Sequence, residues 1–309
     1  MLWQRYNHAC IRAICSYFGG KGREIDGLIA LFLLLNVEAF IDSCGGSGIV
    51  TVSQYAKRRI INDKSPEMTV IYKALADYGK RLAESMSALK IDDETFYKGR
   101  HFLEERKEYT LADYEKDTDE LILAAAYSWY VRAFSRSGSK VDKTPKFTTA
   151  KIRRWRNLLK KDIAILIRRF EGVEVWNMDV CDLLKRIKKE IHEETLVYID
   201  PPYLSDKNSG IVTNPETYKG NSSKGIQSFD EFDHHRMIAN ANFLPKDQFH
   251  VIISGYENEL YDRLLDTVNY AAWSKKYITD LAIQCASGDV CKVKKRAREF
   301  VYMNFDIVG

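Results

Sequence analysis

The stretch Leu196-Val197-Tyr198-Ile199-Asp200-Pro201-Pro202-Tyr203 decides the fold of this chain. Its four apolar residues predict a buried strand. The two prolines end that strand, because proline lacks an N–H and fixes φ. A carboxylate, a carbonyl without sheet partners and a phenol ring therefore follow the carboxyl end of a strand, where ligands bind in open α/β sheets. An acceptor pair beside a flat ring suits a planar, amino-bearing substrate such as a nucleobase. The alternative is a turn whose tyrosine packs into the core.

Other short β-rich runs alternate with helical patterns, which is the order expected of βαβ units and a parallel sheet. With the run just quoted, they are residues 37–42, 58–63, 173–179, 196–200 and 250–254. Ser65 and Pro66 predict a helix start, as N-cap and first helical residue, and Ser228 with Glu231 predicts another. Between about residues 79 and 172 the alternation stops. Helical patterns and polar loops there predict a helical insertion in an α/β domain.

The composition indicates one large domain, or one domain with an insertion. The 309 residues are 45% hydrophobic and 29% charged, and the formal net charge of +4 permits a polyanionic partner without requiring one. The longest apolar run, residues 28–35, is too short to cross a bilayer, so we expect no membrane association. Nothing at the N-terminus resembles a targeting segment. The six cysteines lack metal-binding spacing, so we expect no metal, free thiols and a cytoplasmic location.

Three further patterns indicate a nucleoside-bearing ligand. Asp42-Ser43-Cys44-Gly45-Gly46-Ser47-Gly48 follows the first strand, and its glycines permit the positive φ and close backbone approach of a strand-to-helix turn. Asp63 ends the next strand, where an acid can accept hydrogen bonds from ribose hydroxyls. Tyr17-Phe18-Gly19-Gly20-Lys21 offers amides and an ammonium group to a carboxylate. Each pattern alone is more simply a turn or a helix cap. The ordered set fits an S-adenosylmethionine-dependent transferase acting on an exocyclic amino group.

These motifs together resemble those of the Dam-type (D12 class) N6-adenine DNA methyltransferases of bacteria and phages. That family carries an aromatic-x-GGK motif, an FxGxG turn, an acid after the second strand and DPPY, which correspond here to residues 17–21, 44–48, 63 and 200–203. Residues 253–256 and 295–299, before a last strand at 300–305, are also similar. The resemblance implies a Rossmann-like, seven-stranded methyltransferase sheet. It assigns residues 1–79 and 172–309 to the catalytic domain and 80–171 to a mainly helical target-recognition insertion.

The resemblance also implies roles for individual residues. Asp200, Pro201, Pro202 and Tyr203 would form the catalytic motif: Asp200 and the Pro201 carbonyl would accept the amino hydrogens of a flipped-out adenine, and Tyr203 would stack on the base. The residues expected to bind S-adenosylmethionine are Tyr17, Phe18, Gly19, Gly20, Lys21, Asp42, Cys44, Gly46, Gly48, Asp63, Asp179 and Asp200. Asp179 has the equal alternative of capping the helix that follows it. Cys44 replaces the family's phenylalanine, which makes one packing contact with the cofactor smaller.

A strongly basic segment is the expected source of DNA contact. Residues 146–170 hold nine basic residues and one acid, with apolar residues at helical spacing that predict a buried face. We favour phosphate contact over a solvated amphipathic helix. The residues expected to bind DNA are Arg132, Arg136, Lys151, Arg153, Arg154, Arg156 and Lys160. Residues 131–138 match the family's GATC-reading loop only loosely, so GATC specificity is not carried over.

The sequence therefore predicts a site-specific adenine-N6 methyltransferase of double-stranded DNA, with a cognate restriction endonuclease as a candidate partner. Two alternatives remain open. The chain could be an RNA adenine-N6 methyltransferase, since the chemistry is the same, or a non-catalytic DNA-binding subunit derived from such an enzyme. The intact motifs at residues 17–21 and 200–203 argue against the second alternative.

Overall fold

A computed structural model describes residues 25–33, 35, 37–135, 144–203, 229, 231–256, 258–265, 273–282 and 296–306. The chain divides into two compact units. Among the described residues, the first unit holds 45–135 and 144–177, and the second holds those from 25 to 44 and from 178 onward. The predicted domain boundaries, at residues 79/80 and 171/172, stay a prediction.

Seven strands form a mixed sheet of order β3-β2-β1-β4-β5-β7-β6. They are β1 Ala39–Asp42, β2 Arg58–Asn62, β3 Val173–Trp176, β4 Thr195–Ile199, β5 Phe249–Tyr256, β6 Ser274–Ala282 and β7 Arg296–Met303. Strand β4 lies parallel to both β1 and β5, and β2 lies parallel to β3. Strand β7 is antiparallel to β5 and β6. The predicted α/β fold and its seven-stranded sheet are confirmed, and each of the predicted β-rich runs contains a strand.

Helices accompany the strands in both units. They are α1 Ile25–Leu33, α2 Ile49–Val52, α3 Pro66–Ala88, α4 Asp93–Glu105, α5 Leu111–Tyr114, α6 Thr118–Phe134, α7 Thr149–Asn157, α8 Ile163–Phe170, α9 Val180–Glu190, α10 Glu231–Asn242 and α11 Glu259–Asp262. The helix start predicted at Ser65 and Pro66 is confirmed, although the Ser65 side chain makes no capping hydrogen bond. Ser228, the other predicted N-cap, lies outside the described residues. In the described part of the chain, no helix has the length and apolarity to cross a bilayer.

The second unit is built around β4. All five of its residues are buried, as expected of a strand covered on both faces in a parallel sheet. Helix α1 packs on this sheet through Phe32, whose ring meets Tyr198 of β4 at 5.7 Å and Phe40 of β1 at 5.8 Å. The apolar residues 196–199 thus form a core strand, and Asp200 directly follows its carboxyl end.

In the first unit, the segment between β2 and β3 is helical where it is described, as predicted. Helix α7 is attached by Trp155, whose ring lies 5.4 Å from Tyr130 and 5.7 Å from Phe134 of α6. The basic segment 146–170, whose apolar residues recur at helical spacing, is not one continuous α-helix, since Leu158–Asp162 forms a π-helical segment between α7 and α8. Such segments are rare and frequently occur at functional sites.

Candidate active site

The glycine turn after β1 is closed by backbone hydrogen bonds within the first unit. Gly45 N donates to Asn62 O at 2.7 Å, and Gly48 N donates to Gly45 O at 2.7 Å. Gly46 and Gly48 have φ values of 49° and 65°, which favour glycine. A Cβ on Gly45 would lie 2.6 Å from Ile61 Cγ1, so the turn also lacks room for a side chain there. The positive φ values of Gly46 and Gly48 agree with the strand-to-helix turn that the sequence predicts.

Asp63 follows β2 and is hydrogen-bonded to this turn. Its Oδ2 accepts from Gly46 N at 2.9 Å, and its Oδ1 accepts from Ser65 N at 2.8 Å. Burial raises the pKa of the Asp63 carboxyl, and the two backbone hydrogen bonds oppose that shift. A carboxylate has about four acceptor positions, so two bonds leave it able to accept from ribose hydroxyls. The structure thus places Gly46, Gly48 and Asp63 together.

Two residues that the sequence analysis did not select support this turn and Asp63. The buried Tyr72 donates its hydroxyl to Gly46 O at 2.6 Å, and its ring stacks on Phe170 at 6.0 Å. Asn177 donates through Nδ2 to Asp63 O at 2.8 Å. No local pattern in the sequence predicts that the Tyr72 hydroxyl reaches a turn 26 residues away.

In the second unit, the tetrapeptide Asp200-Pro201-Pro202-Tyr203, which is predicted to be catalytic, directly follows β4. Pro201 is buried, whereas Asp200, Pro202 and Tyr203 are half-buried. Asp42, also buried, ends β1 beside it, since Asp42 and Tyr198 are partners in the parallel β1–β4 pair. Ser43 N continues this pairing by donating to Tyr198 O at 2.9 Å. Asp42 therefore ends β1, and Asp200 directly follows the neighbouring strand β4.

The Tyr203 side chain has two contacts that the sequence did not reveal. Its hydroxyl donates to Glu299 Oε1 at 2.5 Å, and its ring meets that of Tyr256 edge-on, with the centroids 4.7 Å apart. Burial, followed by the charges of Asp200 and Glu299, raises the pKa of Tyr203 well above its usual value. The phenol therefore stays protonated and acts as a donor.

Beneath the tetrapeptide lies a buried polar pair. The hydroxyls of Tyr198 on β4 and Ser254 on β5 are 2.7 Å apart. Burial, followed by the charge of Asp200, raises the pKa of Tyr198 well above its usual value. This pair joins β4 to β5, two residues before Asp200.

The remaining predicted cofactor residues have mixed placements. Cys44 is half-buried. Asp179 is the N-cap of α9, where its Oδ1 accepts from Cys181 N at 2.9 Å, which is the alternative role considered for it. A contact between Asp179 and the cofactor stays a prediction. Tyr17, Phe18, Gly19, Gly20 and Lys21 lie outside the described residues.

The predicted DNA-binding residues divide by exposure. Arg132 on α6 is buried and pairs with the buried Glu67, at 3.4 Å between Nη2 and Oε2. Lys151 donates to Ser135 O. The exposed cations of α7, the π-helical segment and α8, which we call the basic surface, are Arg153, Arg154, Arg156, Lys160, Lys161 and Arg168. Arg136 lies outside the described residues. Among those residues that are described, no cluster of three or more His, Cys, Asp or Glu side chains is suited to a metal.

The sheet order and the motifs after β1, β2 and β4 define the class of protein as an S-adenosylmethionine-dependent methyltransferase. The family model described as D12 class N6 adenine-specific DNA methyltransferase matches residues 17–277. The chain belongs to this family, whose chemistry implies S-adenosylmethionine as methyl donor and DNA as substrate.

The chain is also similar to solved structures. Two structures of the rRNA methyltransferase aviRa from Streptomyces viridochromogenes, at 1.5 and 2.4 Å, align with TM-scores of 0.36 and 0.35. Each shares 11% sequence identity, and each alignment covers 97% of this chain and 92% of the other. Both describe a distant resemblance. No curated protein matches the chain.

Proposed function

We propose that this chain is a site-specific enzyme that methylates N6 of a flipped-out adenine in duplex DNA, with Asp200, Pro201, Pro202 and Tyr203 as its catalytic motif. The observation that carries the proposal is the placement of this motif directly after the buried strand β4. Its carboxylate is half-buried, and its tyrosine ring is anchored at the hydroxyl.

The proposed chemistry follows from the electronic structure of adenine. Its exocyclic amino group is a weak nucleophile, because the nitrogen lone pair is delocalised into the ring. Asp200 and the Pro201 carbonyl would each accept a hydrogen bond from one amino hydrogen, which favours a pyramidal nitrogen and directs its lone pair toward the methyl group. As the N–C bond forms, the S–C bond of the methyl donor would break and the nitrogen would lose one proton, which the hydrogen-bonded Asp200 carboxylate could accept. Tyr203 would stack on the base and hold its plane. These residues supply orientation and electrostatics, and no covalent protein nucleophile is needed.

S-adenosylmethionine supplies the activated methyl group when it is bound. The residues of the first unit fit its ribose, because Asp63 keeps acceptor positions beyond the two bonds it makes to Gly46 N and Ser65 N. The glycine turn fits close approach by a ligand, since Gly46 and Gly48 place no side chain on it. We propose that Asp42 and Cys44 also contact the cofactor, and that residues 17–21 hold its methionine end.

The basic surface is the proposed contact with the DNA backbone. Its six exposed cations lie on consecutive turns, whereas Arg132 and Lys151 are occupied by Glu67 and Ser135 within the fold. Phosphate contacts position DNA without reading its sequence. Flipping the adenine out of the helix costs a few kcal/mol, which these contacts would help to offset.

Substitution of Asp200 tests the catalytic assignment. We expect Asp200→Ala to abolish incorporation of labelled methyl groups into duplex DNA while S-adenosylmethionine binding, measured by calorimetry, largely survives. Asp182→Ala is the matched control, because Asp182 is an exposed residue of α9 that pairs with Lys185. Methyl transfer by Asp200→Ala at a near-normal rate would refute the assignment. Replacing the DNA with RNA in the same assay tests the alternative substrate.

Charge reversal tests the basic surface. Each phosphate contact contributes about 0.9 to the slope of log affinity against log salt concentration, so Arg153→Glu with Arg156→Glu should lower that slope by about two. Lys185→Glu with Arg186→Glu on α9 makes the same change in charge elsewhere and should leave the slope unchanged. If both pairs of substitutions behaved alike, the basic surface would not be the DNA contact.

The recognition sequence is the next measurement. Mapping methylated adenines by long-read sequencing, in DNA treated with the active enzyme, would define it and show whether GATC is the target. The proposal places the enzyme in the cytoplasm with the DNA it modifies. A restriction endonuclease that cleaves the mapped sequence when it is unmethylated is the proposed partner.

A further inference from the structure

The side chain of Tyr203 is held at two points by a single pair of residues. Tyr256 and Glu299 are partners across the antiparallel strands β5 and β7. The Tyr203 hydroxyl donates to Glu299 Oε1 at 2.5 Å, and the Tyr203 ring packs edge-on against Tyr256, with an angle of 74° between the two rings. One cross-strand pair therefore contacts both the tip and the body of the catalytic tyrosine.

The bond to Glu299 has the features of a strong anchor. Glu299 is 1% exposed, so water competes little for its carboxylate. A carboxylate only accepts hydrogen bonds, so the Tyr203 hydroxyl must be the donor. Hydrogen bonds from a hydroxyl to a carboxylate are about twice as strong as neutral ones. The far end of the ring is thereby fixed.

A fixed ring tip matters because stacking requires a defined plane and height. Once the hydroxyl oxygen of a tyrosine is anchored, rotation about χ1 would break the hydrogen bond, whereas rotation about χ2 turns the ring about an axis that passes through that oxygen. The edge-on contact with Tyr256 limits tilting of the ring. A displacement of about 1 Å in a group that positions the substrate can cost roughly 100-fold in rate.

We propose that Glu299 is a positioning residue for methyl transfer: it anchors the Tyr203 hydroxyl so that the ring, braced by Tyr256, stacks on the target adenine. This inference rests on the proposed function, since it assumes that Tyr203 stacks on that base. The alternative is a purely structural bond that ties β7 to the segment after β4. A structural bond would change the stability of the protein without changing the chemical step.

The test compares four variants of the full chain: Glu299→Ala, Glu299→Gln, Tyr203→Phe and the double variant Glu299→Ala with Tyr203→Phe. Tyr302→Phe is the matched control, because it removes a buried hydroxyl from the same strand that donates to Asp262 Oδ1 at 3.0 Å. Each protein is measured for kcat, KM, S-adenosylmethionine affinity and melting temperature. Fluorescence of 2-aminopurine, placed at the mapped target adenine, reports how the flipped base is stacked.

We expect Glu299→Ala to lower kcat by about 100-fold, the scale for a misplaced positioning group. Its affinity for S-adenosylmethionine should stay within about twofold of the wild type, because only the chemical step loses an interaction. The fluorescence of the flipped 2-aminopurine should rise as its stacking loosens. Glu299→Gln keeps an acceptor and should recover kcat to within about tenfold of the wild type. The double variant should be no slower than Glu299→Ala, since both changes break the same bond.

Several results would overturn the inference. One is a Glu299→Ala enzyme with wild-type kcat and fluorescence; another is a loss of kcat in the Tyr302→Phe control equal to that in Glu299→Ala. If Glu299→Ala does not fold, Tyr203→Phe decides instead, because it removes the donor of the same bond: wild-type kcat and fluorescence in Tyr203→Phe would overturn the inference. A wild-type protein that binds S-adenosylmethionine but methylates no duplex DNA would refute the proposed function, and this inference with it. If the wild-type enzyme methylates duplex DNA and the variants match its kcat and fluorescence, only the inference about Glu299 is refuted.

Discussion

Removing the hydroxyl of Tyr72 perturbs the glycine turn directly, because this hydroxyl donates to Gly46 O. Tyr72→Phe removes one oxygen atom from a fully buried side chain and leaves its ring stacked on Phe170. The change deletes the 2.6 Å hydrogen bond to the carbonyl of Gly46, a buried residue. Leaving a buried acceptor without its donor costs about 1–3 kcal/mol. We therefore expect the melting temperature to fall by about 2–4 °C per kcal/mol of that cost.

The same change should weaken S-adenosylmethionine binding. If the cofactor binds only the closed turn, the free energy lost by the turn is lost from binding, and about 1.4 kcal/mol corresponds to a tenfold rise in Kd. Calorimetric titration of the purified protein measures this rise. Tyr72 and Gly46 both lie in the first unit, where Gly46 N also donates to Asp63 Oδ2.

Tyr130→Phe is the control that separates the two effects. Tyr130 is likewise fully buried in the first unit, and its hydroxyl donates to a backbone carbonyl, Lys90 O, at 2.8 Å. This variant should lose similar stability and keep the wild-type Kd for S-adenosylmethionine. A role for the Tyr72 hydroxyl in cofactor binding is excluded if Tyr72→Phe lowers the melting temperature but leaves Kd unchanged, or if both variants raise Kd equally.

Three further predictions concern single side chains. Burial raises the pKa of the Cys181 thiol to about 11, so in folded protein at pH 8 iodoacetamide should label Cys181 far more slowly than Cys44, as peptide mass spectrometry would show; equal labelling would contradict it. Asp179→Ala should lower the free energy of unfolding by about 0.5–2 kcal/mol through loss of the α9 N-cap. In urea titrations Asp179→Asn should retain most of the free energy of unfolding that Asp179→Ala loses. An Asp179→Ala variant with the wild-type free energy of unfolding would exclude a stabilising cap. The raised pKa of Asp63 stabilises the folded protein only while the carboxyl is protonated. The stability of the wild type relative to Asp63→Asn should therefore fall as the pH rises above about 4, and a difference independent of pH would contradict the burial effect.

Local patterns in the sequence were sufficient to predict several elements of the fold. The run before Asp200 predicts a buried strand because it is apolar and is ended by two prolines, and β4 ends at Ile199 as expected. The glycines at 45, 46 and 48 predict a tight turn because two of them need a positive φ. In each case the physical cause lies within a few neighbouring residues, so the sequence contains it.

Other elements depend on partners that are distant in the sequence. Strand β6 was not predicted from its pattern, since Ser274–Ala282 mixes lysines and an aspartate with apolar residues. It lies at the edge of the sheet and pairs with β7, and edge strands commonly carry charges. The π-helical segment at Leu158–Asp162 interrupts an amphipathic pattern that predicts a continuous helix. No local rule identified either feature.

The candidate site divides in the same way. The sequence alone predicts the tetrapeptide at residues 200–203, the glycine turn and Asp63 as site residues, because each is a short motif at the end of a strand. Only the tertiary structure decided that Arg132 is paired with Glu67, 65 residues away, and that Tyr203 is anchored by Glu299, 96 residues away. Strand register and helix packing set such pairings. A motif therefore predicts which residues form a site, whereas the fold determines which residues hold them in position.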